Sequence, residues 1–293
     1  MSMTILSCNP RGGVTSADHD VRMIGSHRQD IIHVDSGNNF IRARGGDDHI
    51  YGGKDVDVIN GGNGCDYIRG GAGADYLSGD RDDDIIYGDD DDDVITDLHG
   101  DNHIFGGRGD DFIEATGTLC GGRDNDHITG LRHAQGNTYL FYPGDGQDTI
   151  RTQGRLNTPG GGTASISGQR GREVLQFGRG IATSDVCVDR VGEDLRFSIG
   201  KADQVTIAGW FSGAAYQLDE IRFDNRRALS ADAIETGLAA GQTCVNQLIE
   251  HMAMTASPPT SSTHPDTTPL IGCRTSPDGM MASSYVISSS HAG

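Results

Sequence analysis

The chain has 293 residues, with 42 acidic and 23 basic side chains and a formal net charge of −19. Nucleic acids and anionic membrane surfaces select basic proteins, so this balance argues against both as partners. Over residues 1–24, which we predict to be a lead-in, the apolar run is only Ile5-Leu6. We therefore expect no cleavable signal peptide, and no stretch of the chain approaches transmembrane length. The six cysteines are scattered without a CxxC pair, which favours small semi-buried residues over a disulfide framework.

Residues 25–114 divide into ten consecutive nonapeptides without an insertion. The eighth slot of every nonapeptide is isoleucine or leucine, and the sixth slot is aspartate or asparagine. A shift of one residue would destroy both columns, so the period is nine. A six-residue half-step, residues 115–120, precedes one further copy at residues 121–129.

This repeat predicts strands and turns rather than helices. One aliphatic slot in nine cannot form an amphipathic helix, so we expect a short strand around the eighth slot with that side chain inward. The first six residues hold the glycines that a tight turn needs. Each repeat must stack on its neighbours, and two nonapeptides make one coil. The predicted fold is all-β, a two-sheet right-handed β-solenoid, with isoleucines inside and two columns of carboxylates outside.

The carboxylate columns pose an electrostatic problem. Residues 25–129 contain 24 acidic and 8 basic side chains, a net charge of −16. Stacked coils would bring sixth-slot aspartates to about the inter-strand spacing, ~4.8 Å, where like charges repel. We infer that a cation intervenes. Oxygen ligands on flexible loops favour calcium.

The segments GGNGCDYIR, GGAGADYLS and GGRGDDFIE resemble the RTX, or haemolysin-type calcium-binding, nonapeptide. The resemblance covers residues 25–151 and implies a parallel β-roll that holds several Ca²⁺ ions between stacked turns. The implied ligands are sixth-slot side chains and backbone carbonyls of the glycine loop. The candidate metal residues are Asp48, Asp57, Asp66, Asp75, Asp84, Asp93, Asn102, Asp111, Asp126, Asp148, Gly52, Gly61, Gly70, Gly79, Gly88, Gly106 and Gly121.

Several copies depart from this pattern. The first three lack the opening Gly-Gly pair, and Asp97-Leu98 replaces it in the ninth. Asn39 and Asn102 are neutral where a carboxylate is expected. We expect reliable sites over residues 43–114 and poor loading of the first two copies. The fourth slot, usually glycine, holds Arg28, Asp55, Asp82, Asp91 and Asp124.

The C-terminal half changes character. The segment GNTYLFYPGDGQDTI, residues 136–150, resembles the end of an RTX array, and residues 151–171 predict an irregular loop. Residues 172–236 contain short β-rich runs, with a hairpin at Gly192-Glu193-Asp194. They resemble the haemolysin-type calcium-binding-related C-terminal domain, which would cap the solenoid, with Trp210 and Phe211 in its core. Residues 230–237 predict a short helix with a serine cap and a glycine stop.

Residues 237–293 contain, beyond Gly241, the segment VNQLIEHMA, a candidate amphipathic helix, and continue as a Ser/Thr/Pro-rich tail that we expect to be mostly disordered. The tail resembles the uncleaved C-terminal signal of RTX proteins exported by type I machinery. That machinery would be a transient partner, and the protein would be extracellular or associated with the cell surface.

No HExxH or GxSxG motif occurs, so neither the zinc-protease nor the lipase partner of RTX arrays is predicted. The leading hypothesis is a secreted, non-enzymatic calcium-binding β-roll protein that calcium folds after export. One alternative is a toxin or bacteriocin-like effector, or the C-terminal part of a cytolysin. Another is a surface adhesin that uses outward aromatic residues, namely Tyr67, Tyr76, Tyr87, Phe105 and Phe112.

Overall fold

The computed structural model of the chain describes residues 4–7, 14–15, 20–152 and 171–255. All of them belong to one compact unit, Met1–Pro259, and a second unit, Thr260–Gly293, lies outside the described residues. Most of the predicted loop at 151–171 and the predicted tail beyond residue 255 also lie outside them. Strands account for 52% of the structure, which confirms the all-β prediction.

Parallel strands stack into two ladders that share one core. The first ladder contains β1 (Thr4–Ser7), β3 (Val21–Ile24), β5 (Phe40–Gly45), β7 (Val58–Asn63) and β9 (Tyr76–Arg81). The second contains β2 (Val14–Thr15), β4 (Ile31–His33), β6 (His49–Lys54), β8 (Tyr67–Ala72) and β10 (Ile85–Asp90). Two longer strands, β11 (Val94–Arg108) and β12 (Phe112–Arg123), pair in both ladders. The result is a parallel β-solenoid of about seven turns, as the repeat predicts.

The register follows the nonapeptide period. Ile50 pairs with Ile68, and Ile59 pairs with Leu77, so each strand lies on the strand that follows two repeats later. The eighth-slot side chains therefore form two interior columns, in which burial of each aliphatic side chain contributes about 1.5–3 kcal/mol. The column members, none more than 2% exposed, are Ile32, Ile41, Ile50, Ile59, Ile68, Leu77, Ile86, Ile95, Ile104, Ile113 and Ile128.

Pairing continues N-terminal to residue 25, where the sequence predicted only a lead-in. Met23 pairs with Ile41 and is fully buried, so it occupies the interior place of an eighth-slot isoleucine. In the second ladder, Val14 pairs with Ile32. These strands belong to the same stack, although residues 16–24 contain no glycine and so lack the motif by which the repeat was recognised.

The six-residue half-step forms the second part of β12. Leu119 pairs with Ile104 and is fully buried, so it replaces the missing isoleucine. Ile113 then pairs with Ile128, at a spacing of fifteen residues instead of eighteen. The deletion shortens one turn and leaves the interior column continuous.

Both ladders run on into the C-terminal module. β13 (His127–Gly130) and β15 (Gln147–Thr152) extend the first ladder, and β14 (Thr138–Phe141) and β16 (Val174–Phe177) extend the second. β19 (Asp203–Ile207) then pairs in parallel with β15, and β20 (Glu220–Arg222) pairs in parallel with β16. The end of each ladder is therefore paired, and no long strand edge is left open there among the described residues.

An antiparallel meander completes the module. β17 (Val186–Val191) pairs with β18 (Asp194–Ile199) through the predicted hairpin, whose two-residue turn is Gly192-Glu193. β18 also pairs with β19, and β21 (Ala228–Leu229) pairs with β20. Trp210 is fully buried and Phe211 packs partly buried against the core, as predicted for both.

Two helices follow, α1 (Ala231–Ala239) and α2 (Val245–Thr255). Ser230 caps α1 by accepting the Ala233 N–H at 3.3 Å, as predicted. The predicted stop at Gly237 is wrong, because Gly237 lies inside the helix where a Cβ would collide with Leu248. Gly241, with φ of 76°, follows the helix end instead. Neither helix in the described part of the chain is long and apolar enough to cross a membrane.

Candidate metal centre

The sixth-slot aspartates point into the solenoid. Alternate side chains of a strand face opposite sides, so the sixth and eighth slots share the inner face and the seventh faces solvent. Asp66 is 2% exposed and Ile68 is fully buried, whereas Tyr67 between them is half-buried. The prediction that these carboxylate columns run along the outside is therefore wrong. The strand period carries each aspartate inward with its isoleucine.

One carboxylate oxygen of each aspartate is held by the preceding coil. The Asp48 N–H donates to Asp66 Oδ1 at 2.8 Å, and the Asp66 N–H donates to Asp84 Oδ1 at 2.7 Å. The same hydrogen bond, at 2.7–3.2 Å, fixes Oδ1 of Asp48, Asp57, Asp75, Asp93, Asp111, Asp126 and Asp148. This ladder of hydrogen bonds sets the orientation of the whole side chain.

The other oxygen, Oδ2, has no hydrogen-bond donor among the described residues. It is buried without a partner at Asp48, Asp57, Asp66, Asp75, Asp84, Asp93, Asp111 and Asp126. A buried polar atom that makes no hydrogen bond costs about 1–3 kcal/mol, and a charged one costs more. Eight such atoms in one solenoid call for a common ligand.

The first-slot glycines leave a space beside these oxygens. A Cβ on Gly88 would lie 2.1 Å from Asp93 Oδ2 and 2.5 Å from the Gly106 carbonyl oxygen. A Cβ on Gly106 would likewise lie 2.2 Å from Asp111 Oδ2 and 2.5 Å from the carbonyl oxygen of Gly121. Each gap is thus bordered by a carboxylate and a carbonyl oxygen, the donors that calcium takes at about 2.3–2.6 Å. The residues present therefore fit a hard cation.

The same contact recurs at the other predicted glycines. A Cβ would approach the Oδ2 of the aspartate in the same repeat to 2.1–2.5 Å at Gly52, Gly61, Gly70, Gly79 and Gly121. The structure thus brings each of these glycines together with the sixth-slot aspartate of its own repeat. Among the described residues, no three His, Cys, Asp or Glu side chains converge on one point, so backbone oxygens must complete any site.

Burial raises the pKa of the sixth-slot carboxyl groups. The pKa of Asp57 rises to about 7, that of Asp66 to about 8 and that of Asp84 to about 9. Desolvation is the largest cause in each case, and a neighbouring carboxylate such as Asp48 beside Asp66 adds a smaller increase. From the sequence, repulsion between stacked aspartates is the predicted electrostatic problem. The structure assigns most of it to the loss of water around each one.

The two sixth-slot asparagines show what the hydrogen bonds between successive coils require when no cation is present. Asn102 Oδ1 accepts the Asp84 N–H at 2.9 Å, and its Nδ2 donates to the His99 carbonyl at 2.9 Å. Asn39 has the same two kinds of bond, to the Val21 N–H and the Gly37 carbonyl. An amide therefore satisfies this position entirely with protein atoms. Asn102 is among the predicted metal residues, but its side chain is already hydrogen bonded at both ends.

The turns keep their shape where glycine is replaced. The second and fourth slots are left-handed, as at Gly62 and Gly64, with φ of 123° and 114°. Asp80 and Asp82 take the same slots with φ of 86° and 73°. Aspartate is among the non-glycine residues that best tolerate this region.

The outward aromatic residues lie on two separate faces. Tyr67, Tyr87 and Phe105 stack along the second ladder, with ring centroids 5.8 Å and 5.0 Å apart. Tyr76 and Phe112 lie on the first ladder, 54% and 43% exposed. The five residues proposed as one adhesive set are therefore not one surface.

Buried carboxylates that face glycine-lined gaps in a stacked solenoid define a cation-binding repeat protein. The family described as "RTX calcium-binding nonapeptide repeat (4 copies)" matches residues 33–68, 60–95 and 87–117. The family described as "Haemolysin-type calcium binding protein related domain" matches residues 194–225, from the start of β18 to just after the end of β20. Comparison with curated proteins gave no match. The chain therefore carries RTX calcium-binding repeats together with a haemolysin-type calcium-binding-related domain, which confirms both resemblances.

Proposed function

We propose that this chain is a secreted, non-enzymatic calcium-binding β-roll protein that folds when calcium loads the solenoid after export. The observation that carries the proposal is the series of buried Oδ2 atoms, each beside a glycine gap and without a donor among the described residues. The match to RTX calcium-binding repeats supports calcium as the cation. A bound Ca²⁺ ion would supply the positive charge that these oxygens lack.

The proposed ligands follow from the gaps. Carboxylate oxygens would come from Asp48, Asp57, Asp66, Asp75, Asp84, Asp93, Asp111, Asp126 and Asp148. Backbone carbonyl oxygens would come from the glycine loops that begin at Gly52, Gly61, Gly70, Gly79, Gly88, Gly106 and Gly121. Asn102 would act in the hydrogen-bond ladder alone, because both ends of its amide are already engaged.

Coupling of folding to export follows from the cost of these carboxylates. Extracellular calcium modules bind at about 10⁻⁴ to 10⁻³ M, far above cytosolic free calcium. Before export, the aspartate columns would therefore oppose folding, and the chain would remain threadable through type I machinery. Outside, binding to the folded form alone would stabilise it at several gaps at once. A series of repeated oxygen sites enclosed by glycines suits a non-enzymatic role better than a single open cleft would.

Circular dichroism of the full chain tests this function. At about pH 7.5 we expect a β spectrum in the presence of calcium and the loss of that spectrum when a chelator is added. Magnesium serves as the control cation, because it demands a tighter octahedral site and should restore less structure. A β spectrum that is the same in chelator as in calcium would refute calcium-driven folding.

An exposed apolar column supports a second candidate, adhesion. Phe40, Val58, Tyr76 and Phe112 lie in register on the first ladder, each 39–54% exposed. Contiguous apolar patches on soluble proteins often mark interaction sites. Alanine at Tyr76 and Phe112 should abolish cell-surface binding if this face is adhesive, whereas alanine at Tyr67 on the other ladder should not.

A further inference from the structure

In the ninth nonapeptide, residues 97–105, the carboxylate is in the first slot instead of the sixth. Its first slot is Asp97 where the other late repeats have glycine, and its sixth slot is Asn102 where they have aspartate. From the sequence alone, this double departure indicates a weakened site. In the structure the first slot faces the interior, so the Asp97 side chain enters the solenoid and is fully buried.

Asp97 meets the carboxylate of Asp84. A Cβ on Gly79 would lie 2.1 Å from Asp84 Oδ2 and 2.5 Å from Asp97 Oδ2, so both oxygens border one gap. At Gly88, the corresponding gap has one carboxylate and one carbonyl oxygen. Asp84 Oδ2 and Asp97 Oδ2 are both buried, and neither accepts a well-formed hydrogen bond among the described residues. The Asp97 carboxylate nevertheless interacts with the Gly79 N–H and with the Asp84 carboxyl.

The remaining polar atoms of the pair are already engaged. The Asp66 N–H donates to Asp84 Oδ1 at 2.7 Å, and the His99 N–H approaches Asp97 Oδ1 at 3.4 Å. The hydrogen bond to Oδ1 thus fixes each side chain, and its Oδ2 borders the shared gap. Two carboxylates at this distance repel unless a cation or a proton lies between them.

We propose that Asp84 and Asp97 together hold one divalent hard cation of the calcium class, more tightly than the single-carboxylate gaps of the neighbouring coils. The inference rests on the proposed function and adds a specific site to it. The affinity of oxygen sites for calcium rises with the number of charged ligands, which is the difference between this gap and the gap at Gly88. The carboxylate that Asn102 lacks is thereby supplied from the first slot of the same repeat.

Calcium titration of the full chain by calorimetry tests the pair, with terbium luminescence as a second probe. Asp97→Gly restores the residue found in the first slot of the neighbouring repeats. Asp91→Gly is the matched control, because it removes the same charge from an exposed residue whose φ of 82° suits glycine. We expect Asp97→Gly to weaken the tightest site about tenfold or more, in line with the loss of one charged ligand. Asp91→Gly should leave that site unchanged.

The outcomes separate this inference from the proposed function. Wild-type protein that binds no calcium would overturn both. Calcium binding with the same tightest site in wild type and Asp97→Gly would overturn the pair alone. If Asp97→Gly does not fold in calcium, Asp97→Asn, which keeps the side-chain shape, should show the same loss, and unchanged affinity there would overturn the pair.

A second inference concerns two cysteines of the C-terminal module. Cys187 lies on β17 and Cys244 directly precedes α2, and the two residues are opposite each other in an isolated antiparallel bridge. Their sulfur atoms are 3.9 Å apart, and the Val188 N–H donates to the Thr243 carbonyl at 2.7 Å beside them. Cys187 is exposed, so the prediction of semi-buried cysteines is wrong for this residue.

The geometry points to a disulfide between Cys187 and Cys244 that ties α2 to β17. Residues opposite each other on antiparallel strands have Cα atoms about 4.5–5.5 Å apart, which lies inside the range of about 4.4–6.8 Å that a disulfide spans, so rotation of the side chains can close the remaining gap. A low-molecular-weight disulfide such as oxidised glutathione is the oxidant. One Cys thiolate attacks a sulfur of oxidised glutathione, which forms a mixed disulfide and releases the first glutathione thiolate. The other Cys thiolate then attacks the protein sulfur of that mixed disulfide, which forms the Cys187–Cys244 bond and releases the second glutathione thiolate. The two glutathione molecules leave as thiols and carry away the two electrons and the two protons.

Treatment of the folded full chain with oxidised glutathione tests this bond. We expect the intact mass to fall by two hydrogen atoms and peptide mapping to join Cys187 to Cys244. Cys187→Ser should abolish the linkage, whereas Cys65→Ser, a change in the solenoid, should leave it intact. Recovery of both residues as free thiols, or their linkage to other cysteines, would overturn the inference.

Discussion

Replacement of Asp66 by asparagine should have opposite effects with and without calcium. Asp66 lies in the middle of the second ladder, where Oδ1 accepts the Asp48 N–H at 2.8 Å and Oδ2 has no donor among the described residues. Asparagine keeps the Oδ1 acceptor and removes the charge. By analogy with Asn102 and Asn39, the new Nδ2 would find the carbonyl oxygens of residues 63 and 64.

The magnitude follows from the buried carboxyl. Burial raises the pKa of Asp66 from 3.8 to about 8, whereas the unfolded chain keeps the ordinary value. The metal-free fold therefore binds more protons than the unfolded chain, so its stability is complete below about pH 4 and is lost as the pH rises toward 8. Each pKa unit corresponds to about 1.4 kcal/mol, so Asp66 alone costs the metal-free fold on the order of 5 kcal/mol near neutral pH.

The assay is far-UV circular dichroism of the chelated protein as a function of pH. Asp66→Asn should shift the midpoint of folding to higher pH, because one carboxyl no longer has to be protonated for the chain to fold. In calcium the same variant should bind fewer ions by calorimetry and unfold at lower urea concentration than wild type.

Asp47→Asn is the matched control, since Asp47 is exposed and its Oδ1 accepts the Cys65 N–H at 3.0 Å. That variant makes the same charge change and keeps the same kind of bond to a neighbouring coil. The Asp47 charge adds only a smaller increase to the pKa of Asp66 than burial does, so this variant should shift the folding midpoint much less than Asp66→Asn and should leave the number of bound ions unchanged. If Asp66→Asn destabilises the chelated and the calcium-loaded chains equally, Asp66 is structural, and the reasoning about Oδ2 is refuted.

Three further predictions concern protons, one gap and one turn. Calcium affinity should fall as the pH drops from about 8 to 5, because protons compete for carboxyls such as Asp93, whose pKa burial raises to about 8; calorimetry at several pH values checks this, and a flat profile would contradict it. Gly88→Ala should remove one ion and cost the loaded protein about 1–3 kcal/mol through overpacking, measured by urea unfolding in calcium, because its Cβ would meet Asp93 Oδ2 at 2.1 Å. Arg226→Gly should raise the free energy of unfolding, measured by thermal denaturation, by about 1 kcal/mol, because Arg226 has a φ of 63° in the left-handed region that favours glycine. Arg227→Gly, the control, should not raise it.

The period of the repeat was enough to predict the stack. An aliphatic residue at every ninth position can be buried only if strands alternate between two ladders, and Ile50 above Ile68 follows directly from that. The N-terminal extension escaped the same reasoning because Met23 does the work of an isoleucine without a glycine turn before it. Interior packing needs only an apolar side chain of suitable volume, so the core reaches further than the motif.

The orientation of the aspartates was harder to predict because two rules conflict. Strand alternation places the sixth slot inward, whereas the cost of burying charge places it outward. The predicted position of the carboxylate columns, on the outside, agrees with the second rule, whereas the fold follows the first. Asp97 was misjudged for the same reason: it was counted as a missing glycine, although its slot faces the interior and brings a second carboxylate to Asp84.

The asparagine rungs separate two roles that one residue type combines. Hydrogen bonding between coils requires only an acceptor at Oδ1, and Asn102 provides it at 2.9 Å, as Asp84 does at 2.7 Å. Asparagine is therefore sufficient for the fold, and it avoids a buried charge. An aspartate in the same place gains nothing for the ladder and leaves Oδ2 without a donor among the described residues. The proposed cation in the adjacent glycine gap would give the carboxylate at the other sixth-slot positions the partner that the ladder of hydrogen bonds does not.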